Sequence, residues 1–231
     1  RGLPVRTRRL FMKPSTLFWC ATAVAACANV STPTAHETAR LAEARQLLGS
    51  NPDGALTITD ELLAADPGLV EARLLRAEGN RLLALQGGRR QVALLLQDAV
   101  HDLEQAIAAT DAPAPHSLKL LADCCFDLGD FGRASAAAQR AAAGFAGRGA
   151  EGHALAAAAT LLASYADLRV FVAERQREID GGTPDARGIV VPGQATIALA
   201  AAAAERFDSV RSRYPGEATT QIALIRQWLG D

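Results

Sequence analysis

The sequence predicts an all-α protein made of consecutive helical hairpins. Three observations carry this: its alanine content, the spacing of its apolar residues and the regular recurrence of helix breakers. Alanine runs occur at Ala156–Ala159 and Ala200–Ala204, and aromatics make up only 5% of the 231 residues. Alanine loses no side-chain entropy in a helix, whereas strands favour β-branched and aromatic residues. Ala55, Ile58, Leu62 and Ala65 follow i, i+3, i+7, i+10, and Leu118, Leu121, Ala122 and Cys125 follow i, i+3, i+4, i+7. Such spacing lines one face of a helix.

Taken in order, the breakers are Asn51-Pro52-Asp53-Gly54, Asp66-Pro67-Gly68, Gly87-Gly88, Pro113-Ala114-Pro115, Gly129-Asp130, residues 147–149, Gly181-Gly182-Thr183-Pro184, residues 188–193 and Pro215-Gly216. Glycine and proline at these intervals punctuate helices. The short β-branched run Ile189-Val190-Val191 lies inside one of these Gly/Pro segments, so no strand is expected. Residues 150–213 are expected to hold two long helices and a loop, and Glu217–Leu229 a last helix facing inward with Ile222, Ile225 and Trp228. Apolar residues make up 49% and charged residues 21%, enough apolar material for a core. The 24 basic and 25 acidic residues nearly cancel, so no global field points to nucleic acid.

The N-terminus reads as an export address. Arg1, Arg6, Arg8, Arg9 and Lys13 precede the apolar stretch Leu17–Ala26, which ends at Cys27. A basic start, a short apolar run and a small-residue exit form the signal-peptide pattern, and a permanent span needs about 20 apolar residues. Val24-Ala25-Ala26-Cys27 resembles the lipobox of bacterial lipoproteins, and the resemblance implies cleavage before Cys27 and lipidation of its thiol. Cys20 follows bulky Trp19 and is a poor competitor. The alternatives are a plain cleaved signal peptide or an uncleaved anchor. Translation from Met12 gives a compact leader; Thr7-Arg8-Arg9-Leu10-Phe11-Met12-Lys13 alternatively resembles the twin-arginine motif. The expected organisation is a signal peptide over 1–26, a lipidated cysteine and tether over 27–38, and a helical domain over 39–231.

Leu128-Gly129-Asp130-Phe131-Gly132-Arg133-Ala134 is similar to the inter-helix turn of tetratricopeptide (TPR) repeats, with Ala141 following at the family's spacing. Segment 55–67 resembles the second helix of such a hairpin, with Ala55 at the crossing, Leu62 and Leu63 in the apolar cluster and Pro67 at the close. Ala99, Leu103, Ala106 and Ile107 repeat that scheme, and Phe207-x-x-Val210-x-x-x-Tyr214-Pro215 resembles a closing helix in envelope TPR lipoproteins. The resemblance implies a TPR-like α-solenoid of about four antiparallel hairpins with a C-terminal capping helix. The chain departs from the family in repeat length and in the first-helix aromatic, near whose place Arg73 and Leu118 stand.

No motif for catalysis, metal or cofactor is evident, and a non-enzyme without metal or cofactor is expected. His36, His101, His116 and His153 have no zinc-ligand spacing. Cys124-Cys125, flanked by Asp123 and Asp127, reads as a structural thiol pair on an apolar stripe. The resemblance implies that ligands meet the first helix of each hairpin, which gives Glu71, Leu74, Glu78, Arg81, His116, Lys119, Asp123, Phe126 and Asp127 as a candidate groove. The expected function is a protein-interaction scaffold in the bacterial envelope, periplasm-facing and lipid-anchored, with an unknown protein or peptide partner. Self-association through alanine-rich faces is left open. Two alternatives differ from this: a soluble secreted or periplasmic location, and a solute-binding or transport accessory role with a pocket between the helices of 150–213.

Overall fold

The computed structural model describes residues 32–87 and 89–230, and of 89 and 90 the backbone alone. The lipobox Val24-Ala25-Ala26, Cys27 and Cys20 lie outside the described residues. Within those residues the protein is helical, without a strand. The helices are α1 (Ala35–Leu47), α2 (Pro52–Ala65), α3 (Val70–Gln86), α4 (Arg89–Ala108), α5 (Pro115–Leu128), α6 (Phe131–Phe145), α7 (Gly149–Gly181), α8 (Gln194–Ser209) and α9 (Pro215–Leu229).

Each breaker falls at a helix end, for a local reason. Asn51 caps α2 by accepting from the Gly54 amide at 3.1 Å, and Pro52 occupies the first turn, where its missing N–H costs nothing. Gly129 closes α5 at φ 82°, a left-handed conformation that a side chain would strain, and Asp130 then caps α6 through the Arg133 amide.

Two boundaries differ from expectation. Helix α1 starts at Ala35, so residues 35–38, including His36, are helical rather than tether. The cause is a capping box: Thr34 Oγ1 accepts from the Glu37 amide at 3.2 Å, and the Thr34 amide donates to Glu37 Oε2 at 2.7 Å. Over 150–213, α7 runs for 33 residues but α8 for only 16. The chain leaves the helix at Ser209, so Val210 and Tyr214 of the closing pattern lie in the turn before α9.

Consecutive helices pack on one another throughout. In addition the backbones of α1 and α3, α3 and α5, α5 and α7, and α7 and α9 approach one another, whereas those of neighbouring even-numbered helices do not. Side chains bridge two of the even pairs: α4 and α6 through Glu104–Arg133, and α6 and α8 through Arg206 donating to Ser135. The odd helices therefore share one side of the array, and a cleft opens between α2 and α4. Small residues permit the close crossings: a Cβ on Gly79 would lie 2.9 Å from Leu56 Cδ2, and Ala134, Ala138 and Ala141 are fully buried. Leu62 and Leu63 are buried as the stripe in α2 requires, but Ala65 is exposed at the last turn of that helix.

Helix α7 is long and apolar enough to cross a membrane by length and composition alone. Here it packs against α6 and α8, burying Ala159, Ala163, Ala166, Leu168 and Phe171.

Candidate functional site

Glu71, Leu74 and Glu78 stand at i, i+3 and i+7 of α3 and share a face. That face turns towards the start of α5. Between them lies an open groove of about 690 Å³, within the range of ligand pockets. Its floor is apolar, from Leu69, Val70, Leu74, Leu75 and Leu120, and its rim carries Glu71, Glu78 and His116. Arg45 of α1 pairs with Glu71 across the rim, whereas Glu78 makes no ion pair among the described residues. The His116 ring meets Phe145 edge-on with centroids 4.8 Å apart, which fixes its orientation at the groove mouth.

Four of the nine candidate residues thus line one groove: Glu71, Leu74, Glu78 and His116. The other five serve the surrounding structure. Arg81 reaches from α3 to Asp127 of α5 at 3.2 Å, tying the two helices together. Lys119 pairs with Asp123 one turn further along α5, at 2.9 Å. Phe126 packs edge-on against Phe131 at 5.3 Å, filling the α5–α6 turn, and Arg169 stacks on the Phe131 ring from α7.

Sequence reasoning missed Pro33, Arg45, Leu69, Val70, Leu75, Ser117 and Leu120 as groove residues. Leu120 follows His116 by one helical turn and was legible by spacing. Pro33 and Arg45 enter because α1 folds beside α3, a contact that no local pattern encodes.

The vicinal thiols are unsuited to redox or metal chemistry. Cys124 and Cys125 are fully buried, and loss of hydration pushes the first up to about 12 and the second up to about 11. A thiol held protonated is neither nucleophile nor ligand. Asp123 and Asp127 beside them are committed to Lys119 and Arg81.

The loop after α7 is stitched down. Buried Arg175 donates to the Val190 carbonyl at 2.5 Å and the Trp228 carbonyl at 3.2 Å. Glu178 Oε1 accepts from the Thr196 hydroxyl at 2.6 Å and the Gly193 amide at 3.0 Å. Between α7 and α8 the space holds Leu168, Phe171, Ala200, Ala203 and Phe207. The depression bounded by the loop is an open one, beside Glu174, Val190 and Val191 at the helix ends.

Comparison of the chain with protein-family models, with curated proteins and with solved structures finds no match.

Proposed function

We propose that this protein is a non-enzymatic adaptor of TPR-like build, held at a bacterial envelope membrane by lipid on Cys27, that binds a protein segment along the α3–α5 face. The observation that carries the binding role is the open apolar groove with its acidic rim. An apolar trough edged by charge suits an extended peptide or the apolar face of a helix, where a few anchors supply affinity and the rim sets orientation. The TPR-like reading draws support from the Gly129–Ala134 turn and from the mutual contact of the odd-numbered helices. The address rests on the basic and apolar segment ahead of Cys27. Several acyl chains on one cysteine hold a protein firmly, where one holds it marginally.

The test is a photo-cross-linking residue at Leu120 in a bacterial host that processes the full chain. A discrete adduct in the membrane fraction is expected, lost on Leu74→Asp and lost from that fraction on Cys27→Ser. An adduct that survives Leu74→Asp, or none at all, would overturn the groove as the binding face. Intact mass of the extracted protein checks the anchor separately: expected is a start at Cys27 with diacylglyceryl and acyl additions.

A further inference from the structure

The separation of α2 from α4 opens a second cleft, about 320 Å³, on the other side of α3. Leu56 and Asp60 form one wall, Asp98, His101 and Asp102 the other, and Arg76 and Asn80 rise from the α3 floor. Its polar groups divide into two sets. Asp102, 1% exposed, takes Arg76 Nε and Nη2 at 2.7 Å each, and Arg73 approaches at 3.4 Å. Arg76 Nη1 donates to Asp60 at 2.9 Å, so all three guanidinium nitrogens are committed within the protein. The second set has no side-chain partner among the described residues: the exposed Asp98 carboxylate, the exposed His101 imidazole, and the amide of Asn80.

Asn80 is the telling residue. It is only 7% exposed, its side chain makes no hydrogen bond among the described residues, and it lines the cleft. Its amide atoms are not sealed among the buried groups but open onto the cleft, so the polar end of a largely buried side chain is presented to whatever enters there. An amide so placed has its donors and acceptor free for a ligand in the cleft.

We propose that the α2–α4 cleft binds a small primary alkylammonium compound, its nitrogen donating to Asp98 and to the Asn80 carbonyl oxygen. The carboxylates outnumber the guanidiniums here, and the Arg76 guanidinium has no nitrogen left to receive an anion. The volume lies at the lower end for ligand pockets, which fits a short diamine or one lysine side chain. An ammonium offers three donors and no acceptor, matching a carboxylate and an amide oxygen that lack donors. This site is separate from the α3–α5 groove and stands or falls independently of it.

Calorimetric titration of the described domain's parent chain, full length and at about 0.15 M salt to screen surface charge, uses two probes: 1,4-diaminobutane and lysine blocked at both backbone ends. Saturable one-to-one binding of either supports the site. Preference for the diamine assigns a free metabolite, and preference for blocked lysine assigns a peptide side chain. Asp98→Asn and Asn80→Leu are each expected to weaken binding about tenfold, the scale of a lost bond to a charged group. Glu151→Gln, a remote exposed carboxylate, is the control. No saturable binding of either probe, or equal weakening by Glu151→Gln, would overturn the proposal. Asn80→Leu also reports without ligand: unchanged or raised stability agrees with an idle amide, and a large loss shows that the amide serves the fold instead.

Discussion

Helices α1–α4 and α7–α9 solve the same packing problem differently. The first region buries Leu41, Ile58, Leu62, Leu69, Leu75, Leu96 and Leu103 against alanines, with no aromatic in its buried set. Its turns between α1, α2 and α3 are short and end in side-chain caps or compact loops. The second region centres on Phe171 and Phe207, with Tyr165 and Trp228 packed around them, and it carries the long connection 182–193. Long irregular backbone exposes carbonyls and amides that helices would satisfy themselves. Arg175 and Glu178 supply those partners. The contrast shows what loop length demands: short turns leave packing as the main stabiliser, whereas a long connection needs a polar clamp.

The contrast breaks most sharply at the aromatic core. Phe207 is fully buried and meets Tyr165 edge-on at 5.3 Å. Phe207→Ala is expected to cost about 4 kcal/mol. Urea denaturation followed by far-UV signal gives the value, and hydrogen exchange should show α8 and α9 loosened before α1–α4.

A smaller effect is expected at the clamp. Arg175→Met keeps the aliphatic stem and strands the Val190 and Trp228 carbonyls, at about 3 kcal/mol. Fast exchange confined to residues 182–193 and the end of α9 would bear out its role as local fastener. Uniform destabilisation of all nine described helices would instead make it part of one cooperative core.

The least effect, and the most diagnostic, is pH-dependent. The Thr196 hydroxyl, with the Gly193 amide and Arg175, holds the Glu178 carboxyl below its ordinary value of 4.5. A group whose folded pKa is depressed stabilises fully above its unfolded value and loses that contribution as pH falls through the folded one. The wild type is therefore expected to lose stability below pH 4.5 faster than Glu178→Gln. Parallel denaturation midpoints for the two proteins from pH 6 down to about 3, across the carboxylate range, would remove Glu178 from the clamp.

Helix positions were legible because their causes are local. Asn51-Pro52, Gly129-Asp130 and Pro215 act through their own backbone and the next turn, so spacing and residue type sufficed. The start of α1 was legible in principle too, since Thr34 and Glu37 form a capping box readable as Thr-x-x-Glu. The groove was half legible. Glu71, Leu74 and Glu78 share a face by periodicity, but whether α5 would meet that face through His116 or further along was not encoded there. The clamp and the polar cleft were invisible: Arg175 and Val190 lie fifteen residues apart and Arg76 and Asp102 twenty-six, joined only when helices pack.

By itself the sequence determined an all-helical chain, the places where helices stop, and which stripe of α2 and α5 turns inward, because propensity, capping and periodicity act over one or two turns. Tertiary structure alone decided that the backbones of odd helices approach while those of even ones do not, that Arg81 meets Asp127, and that the Asn80 side chain faces the α2–α4 cleft. Those outcomes depend on which small residues let two helices approach and at what angle, a property of paired surfaces rather than of either helix alone.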